Sequence, residues 1–144
     1  MIKRNIFLML LFFSFSSAFA LSDSLSTLRI VIHGAVTDSG KIMVAVSDSE
    51  KNYMTPGMAF KAAALDINEG KSEWVIDSIP YGSYAIKVFH DVNSNQQLDT
   101  KSFGIPSEPY GFSNNAAGRF GPPSWKDAHF DCHEREILVE IKLK

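Results

Sequence analysis

The chain has 144 residues, of which 45% are hydrophobic and 21% are charged, and its formal net charge is −2 at pH 7. This length and composition are typical of a single folded domain that buries a substantial core. Basic residues are not clustered, which argues against a nucleic-acid surface or a patch for anionic membranes. Cys132 is the only cysteine, so no internal disulfide is possible and the fold depends on its core or on a bound ion.

The first twenty residues have the pattern of a secretory signal peptide. Two basic residues precede an apolar run from Ile6 to Phe13, and Ala18-Phe19-Ala20 follows as a small-residue cleavage site. The run is shorter than the roughly 20 residues that a spanning helix needs, which favours a cleaved signal over a membrane anchor. No later segment is apolar enough to span a membrane. We therefore expect an exported protein, periplasmic or secreted, with a signal peptide at residues 1–20, a flexible lead-in at 21–27 and one β-sandwich domain at 28–144.

Alternating apolar residues predict the first strands. A run from Leu28 to about Val36 and a second run, Lys41-Ile42-Met43-Val44-Ala45-Val46, flank the turn-forming segment Thr37-Asp38-Ser39-Gly40. This arrangement predicts an antiparallel hairpin. The segment from Met58 to Ile67 fits either a strand or one face of a helix, and its β-rich surroundings favour the strand.

The second half of the chain continues the β pattern. Glu73–Asp77 predicts a short strand, Ser83–His90 the strongest strand of the chain, and Glu136–Lys144 a half-buried closing strand. Ser124 and Asp127 stand at the spacing of a capping box and predict a short helical turn. With no long helix, the pattern predicts an all-β protein. The expected architecture is an antiparallel β-sandwich, Ig-like or transthyretin-like, of six or seven strands with a long ordered loop.

Oxygen-bearing side chains follow the strongest strand at spacings typical of a calcium loop. Side-chain oxygens stand at positions one, three, five and nine, and position seven would supply a backbone carbonyl. The candidate ligands are Asp91, Asn93, Asn95, Gln97 and Asp99. Calcium is the one cofactor that this pattern suggests.

The pattern departs from a full calcium loop at two positions. Gln96 stands at position six, where Gly usually makes the sharp turn, and Ser102 stands where a bidentate Glu is usual. A filled site would therefore rely on carbonyls, waters or an outside ligand such as Glu108. We expect weak binding, with a Kd of roughly 10⁻⁴ to 10⁻³ M. The alternative is an Asx-rich turn whose side chains bind their own backbone.

Histidines suggest two further sites, neither of which is favoured. His129, Asp131 and His133 would share one face of a strand, but the ends of this set lie too far apart to share a metal without a third ligand such as His90. An outward polar face is the simpler interpretation. His90 and Asp91 are adjacent, so along a strand they point to opposite faces and cannot act as a base and its orienting partner. We expect no enzyme activity.

Residues Thr100 to Ser124 predict a long loop without secondary structure, and such loops are usually functional or disordered. Its aromatic residues, including Phe103 and Phe120, are too apolar to be left in water, which argues against disorder. We expect it to fold over one end of the sandwich, either as a ligand or partner surface or only as packing. The candidate contact residues are Glu108, Tyr110, Phe112, Asn114 and Asn115.

Four segments of the chain resemble an uncharacterised exported bacterial family, domain of unknown function 2141. They are Tyr81–Ile86, Phe89–Asn95, Leu98-Asp99 and Gly104–Asn115, and the resemblance extends from about Leu28 to Leu143. Members of the family tend to carry Gly where this chain has Gln96. The Pro-x-Gly-x-Tyr segment at the start of the strongest strand is also similar to that of transthyretin-like and carboxypeptidase-regulatory-like sandwiches, a likeness of fold only.

These observations predict an exported β-sandwich binding or accessory module with a calcium-stabilised loop. Its partner would be a protein or a small-molecule ligand that the sequence does not identify, and neither nucleic acid nor a membrane span is expected. One alternative is a structural protein of the cell envelope without a small ligand. Another is an enzyme that uses the His90 region.

Overall fold

The computed structural model describes residues 24–144, so the predicted signal peptide and residues 21–23 of the lead-in lie outside the described residues. The described part contains eight β-strands, two short α-helices and two single turns of 3₁₀ helix. The elements are β1 (Leu25–His33), β2 (Lys41–Ser47), α1 (Glu50–Met54), β3 (Lys61–Leu65), β4 (Lys71–Pro80), β5 (Gly82–Asp91), the 3₁₀ turns Ser102–Gly104 and Ser113–Asn115, β6 (Tyr110–Phe112), α2 (Trp125–Ala128), β7 (Phe130–Cys132) and β8 (Glu136–Lys142). Among residues 24–144, no helix is long and apolar enough to cross a bilayer.

The strands form two sheets, which confirms the predicted all-β sandwich class. The smaller sheet has the order β4-β1-β8, and the larger sheet has the order β3-β2-β5-β6. β7 also joins the larger sheet, because it pairs with residues 82–84 of β5 while β6 pairs with residues 87–89. The strand count is eight rather than six or seven, since β6 lies inside the segment predicted as a structureless loop.

The predicted hairpin between the first two strands is wrong. β1 and β2 belong to different sheets, and the residues between them cross from one sheet to the other. The turn-like segment binds the β3–β4 turn instead: Asp38 accepts hydrogen bonds from the backbone N–H groups of Glu69 and Gly70. The N–H groups of Gly34 and Ala35 donate to the Gly70 carbonyl. These contacts lie between residues distant in the chain, so local turn composition could not reveal them.

Two further details differ from the sequence predictions. The sandwich is not wholly antiparallel, because β8 runs parallel to β1 with Ile30 opposite Val139. The first strand begins at Leu25 rather than Leu28, so part of the predicted flexible lead-in is ordered β-structure. Backbone pairing holds these residues in the sheet, because Ser26 lies opposite Ile79 of β4 and the Tyr81 N–H donates to the Ser24 carbonyl at 2.7 Å.

Apolar residues at alternate positions of both sheets fill the space between them. The most deeply buried aliphatic side chains are Leu28, Ile30 and Ile32 of β1, Ile42 and Val46 of β2, Ile79 of β4, Ile86 of β5 and Ile141 of β8. Burying a side chain of this size contributes about 1.5–3 kcal/mol. β5 alternates as predicted, with Ile86 and its alternate neighbours facing the core. Its opposite face, which carries Lys87 and Phe89, supplies the floor of the candidate site.

Candidate binding groove

The outward face of the larger sheet is mostly apolar and lines a cavity. Strand register places two rows of side chains across it, Ala64–Met43–Phe89–Tyr110 and Ala62–Ala45–Lys87–Phe112. The residues on the central strands are half-buried, whereas the core-facing positions between them are fully covered. We call the part of this face that lines the cavity, Met43, Ala45, Ala62, Lys87, Phe89, Tyr110 and Phe112, the floor of the groove.

Two loop segments rise beside the floor and form the walls of the groove. The first wall is residues 98–106, of which Asp99 and Lys101 do not line the groove, and the second is residues 118–122. Phe103 and Phe120 are fully exposed, at 101% and 104% of the reference accessible surface, and Ile105 is 60% exposed. The expectation that Phe103 and Phe120 would be covered is therefore wrong. Each ring projects into solvent from its wall.

Phe103 also has an uncommon backbone conformation. Its φ of 64° lies in the left-handed region, which a residue with a bulky side chain adopts only at a cost. The Phe103 ring is thus both unburied and held on a strained turn, and neither feature stabilises the fold. A strained residue that presents an apolar side chain to solvent is a reason to look for a binding role.

The groove between floor and walls has a volume of about 980 Å³. That is at the upper end of the range of about 300–1,000 Å³ found for small-molecule sites. Within residues 24–144, its lining contains two cations, Lys87 and Arg119, and no carboxylate. The groove is therefore apolar with positive charge, although the whole chain has a formal net charge of −2.

Lys87 is already engaged at one end of the floor. Its Nζ donates to the Tyr53 carbonyl at 2.5 Å and lies 4.1 Å from the centroid of the Tyr53 ring. Burial lowers the pKa of Lys87, and burial, assisted by the charge of Asp127, raises the pKa of Tyr53 to about 12. The Tyr53 hydroxyl donates to the Pro123 carbonyl at 2.9 Å, so this contact also anchors the end of the second wall.

A second small apolar cluster closes the sheet face beside Lys87. Tyr53 packs edge-on against Trp125 with ring centroids 5.9 Å apart, and both contact the cluster that contains Ala85 and Ala128. α2 is held there by its predicted cap, since Ser124 accepts a hydrogen bond from the Asp127 N–H. The two helices thus position the second wall relative to the floor.

The predicted ion loop fixes the start of the first wall. Asp91 is 1% exposed, and its two carboxylate oxygens accept the N–H groups of Asn95 and Gln96 at 3.0 and 2.8 Å. The side-chain amides of Asn93 and Asn95 donate to Asp99 at 2.7 and 3.0 Å. The side chains thus bind the loop itself, as the Asx-turn interpretation expects.

The backbone of this loop has the shape that a calcium loop requires at its sixth position. Gln96 has φ of 63°, the left-handed conformation that Gly usually supplies there. The side chain of Gln97 is exposed, and the backbone N–H of Gln97 donates to the Asn95 side-chain oxygen at 2.8 Å. Within residues 24–144 no group of three or more His, Cys, Asp or Glu side chains is placed to hold a metal ion. A calcium ion would therefore need amide, carbonyl and water oxygens beside Asp91 and Asp99.

The five predicted contact residues of the long loop separate into two sets. Tyr110 and Phe112 lie on the floor of the groove. Glu108 is 8% exposed and accepts the N–H groups of Val92 and Asp99 at 2.9 and 3.0 Å, so it closes the ion loop at both ends. Glu108 therefore faces the loop rather than a ligand.

Asn114 and Asn115 use their side chains to hold the fold together. The Asn114 amide donates to the backbone carbonyls of Asp127 and His129. Asn115 accepts the N–H of Lys142 at 2.8 Å and donates to the Glu140 carbonyl at 3.3 Å, replacing a strand at the edge of β8. These contacts occupy the amide groups predicted to meet a partner.

The histidines lie apart from the groove. His90 is fully buried, and its Nε2 is 2.8 Å from the Ser39 carbonyl. His129 stacks on Trp125 with 12° between the ring planes, and His133 is packed edge-on against Tyr81. None of the three histidines lines the groove.

A family model described as "Uncharacterized protein conserved in bacteria (DUF2141)" matches residues 30–139. The chain belongs to this family. The matched range runs from β1 into β8, so the DUF2141 domain includes both sheets, the ion loop and both walls of the groove. The predicted family resemblance is confirmed. No curated protein and no solved structure matches the chain.

Sequence reasoning missed Arg119 and the exposed positions of the two Phe rings. Phe120 stands between Gly118 and Pro122 with Gly121 beside it, a composition typical of a projecting turn. That signal could have indicated an exposed tip. Nothing in the sequence indicated that Phe120 and Phe103 line the same groove, because the two residues lie in separate loops.

Proposed function

We propose that the DUF2141 domain is an exported binding module that takes an apolar ligand into the groove. The observation that carries this proposal is the pair of fully exposed rings, Phe103 and Phe120, above an apolar sheet face. Large apolar patches on soluble domains usually mark sites of interaction. The family description supports only an uncharacterised bacterial domain, so the binding role rests on the geometry of the groove.

The free energy available at this site is large enough for binding. Covering one Phe side chain contributes about 1.5–3 kcal/mol, so a ligand that covers both rings gains about twice that amount. The floor adds the exposed parts of Met43, Phe89 and Tyr110. The walls and floor are already in position, so binding requires little further ordering of loops and side chains.

Binding rather than catalysis is supported by the chemistry of the lining. Among residues 24–144, the groove lining includes no His, Cys, Ser, Asp or Glu. Of the other groups that could act in catalysis, Lys87 is held by the Tyr53 carbonyl and ring, which leaves Tyr110 and Thr100 without a His or carboxylate beside them in the lining. The buried position of His90 favours a role in packing over the alternative of an enzyme centred on that residue.

An uncharged fluorescent apolar probe, N-phenyl-1-naphthylamine, tests the proposal. Ala45→Trp places an indole on the floor and is expected to reduce probe binding at least fivefold. Leu138→Trp is the matched control, because Leu138 is exposed on the outward face of the other sheet. Equal probe binding by native protein and both variants would contradict a ligand site in this groove.

We also propose that calcium stabilises the loop from Asp91 to Asp99. Support comes from the oxygen spacing, the left-handed backbone of Gln96 and the free lone pairs that remain on each carboxylate. Millimolar calcium is expected to raise the thermal midpoint by several degrees, whereas magnesium is expected to have less effect. The double variant Asp91→Asn, Asp99→Asn is expected to abolish the shift. Absence of a shift in the native protein would reject the proposal.

Export is proposed from the sequence pattern of residues 1–20 alone. Expression of the full chain in a bacterial host is expected to yield a secreted or periplasmic product that begins at Leu21. Mass spectrometry of the intact product and fractionation of the cells measure this directly. A product that keeps residues 1–20 in the cytoplasmic fraction would contradict it.

A further inference from the structure

The charges of the groove define its ligand more narrowly. Arg119 lies on the second wall next to Phe120 and has no ion pair among residues 24–144. Lys87, the other cation, is held by the Tyr53 carbonyl and ring. Arg119 is therefore the cation of the lining that remains available to a ligand, and the lining formed by residues 24–144 contains no carboxylate to compete for it.

We infer that the groove binds a single anionic amphiphile, of the class of long-chain carboxylates, and this inference rests on the proposed function. The carboxylate binds the Arg119 guanidinium, and the hydrocarbon chain lies on the floor between Phe103 and Phe120. Arg is suited to this task because its planar fork of donors matches a carboxylate. The floor spans four strands, about 14 Å at a strand spacing of about 4.8 Å, which is long enough for an extended chain.

The concave shape favours a guest molecule over a membrane surface. A flat bilayer would reach the projecting rings of Phe103 and Phe120 and leave the floor between the walls uncovered. The aromatic side chains Phe89 and Tyr110 are only half-buried there, so apolar surface on the floor is covered only by a ligand that enters the groove. An inserted hydrocarbon chain covers the rings and the floor together.

Calorimetric titration with dodecanoate and with dodecan-1-ol tests the inference. The two probes share a chain and differ in the anionic group. Native protein is expected to bind dodecanoate at least tenfold more tightly than dodecan-1-ol. Arg119→Gln is expected to remove that preference while it leaves the affinity for the alcohol unchanged. Arg135→Gln, at an exposed arginine outside the groove, is the matched control and is expected to keep the preference.

The possible results separate this inference from the proposed function. Equal binding of both probes, blocked by Ala45→Trp, would leave an apolar groove in place and overturn the anionic ligand. Binding of neither probe would overturn the long-chain ligand class, while the fluorescent probe reports on the groove independently. Sedimentation with phosphatidylglycerol vesicles in the absence of dodecanoate binding would also overturn the inference, because it would show docking on a membrane surface.

Discussion

Ser113 offers a sharp test of how the groove floor is held together. It is fully buried where β6 ends, between the stretches of β5 that pair with β6 and with β7. Its hydroxyl accepts the Ile86 N–H at 2.9 Å and donates to the Ala128 carbonyl at 2.5 Å. One side chain thus takes the place of a missing strand pairing and links β5 to α2.

Ser113→Ala leaves two buried backbone groups without these partners. Because one such orphaned group costs about 1–3 kcal/mol, we expect the variant to lose about 2–6 kcal/mol of unfolding free energy. For a domain of this size the thermal midpoint should fall by roughly 10 °C. Urea denaturation followed by intrinsic fluorescence measures the loss, with an unchanged slope against urea concentration if the two end states keep their compactness.

Ser26→Ala is the matched control, since Ser26 is also buried but its hydroxyl has no hydrogen-bond partner among residues 24–144. Removing a buried hydroxyl that has no partner relieves a desolvation cost. We therefore expect Ser26→Ala to be neutral or stabilising. A similar loss in both variants, or an Ser113→Ala variant within about 0.5 kcal/mol of the native protein, would refute the reasoning.

Three further substitutions test other parts of the structure. Glu108→Gln places an amide N–H₂ against one of two backbone donors and should cost about 1–3 kcal/mol in urea denaturation, with faster hydrogen exchange in the ion loop; unchanged exchange would contradict its closing role. Gly111→Ala would bring a Cβ to 2.8 Å from Ile141 Cγ2 and should cost about 1–3 kcal/mol, whereas Gly82→Ala, whose nearest contact would be 3.6 Å, should cost less. Burial raises the Tyr53 pKa to about 12, so between pH 10 and 12 the Tyr53 hydroxyl stays protonated in the folded state and ionises in the unfolded state. The free energy of unfolding should therefore fall as the pH rises from 10 to 12. Tyr53→Phe should weaken that fall in urea denaturation at pH 9 and pH 11, and an unchanged slope with pH would contradict the assignment.

The candidate site was only partly predictable. Tyr110 and Phe112 were predicted as contact residues and do lie on the groove floor. Glu108 and Asn115 were predicted beside them, yet their polar groups bind the backbone of distant segments. A polar side chain in a loop has the same sequence signature whether it faces a ligand or satisfies a buried backbone group, so its role depends on the folded neighbours.

The sequence by itself determined the local structure of this protein. Alternation with a period of two residues located the strongest strand, predicted at Ser83–His90 and found at Gly82–Asp91, because side-chain direction along a strand depends only on neighbouring residues. The cap of α2 at Ser124 was predicted for the same reason. Apolar content and strand spacing together also indicated a β-sandwich.

Only the tertiary structure decided which strands pair and what the loops present. β1 pairs with β4 and β8 rather than with β2, which follows it in the chain. Hydrogen bonds from Glu69 and Gly70 to Asp38 hold the segment between β1 and β2 against the β3–β4 turn. Phe103 and Phe120 have the composition of buried residues, but the backbone of each loop directs the ring into solvent. The groove exists because two separate loops stand beside one sheet face, and that proximity is a property of the fold that no single stretch of sequence contains.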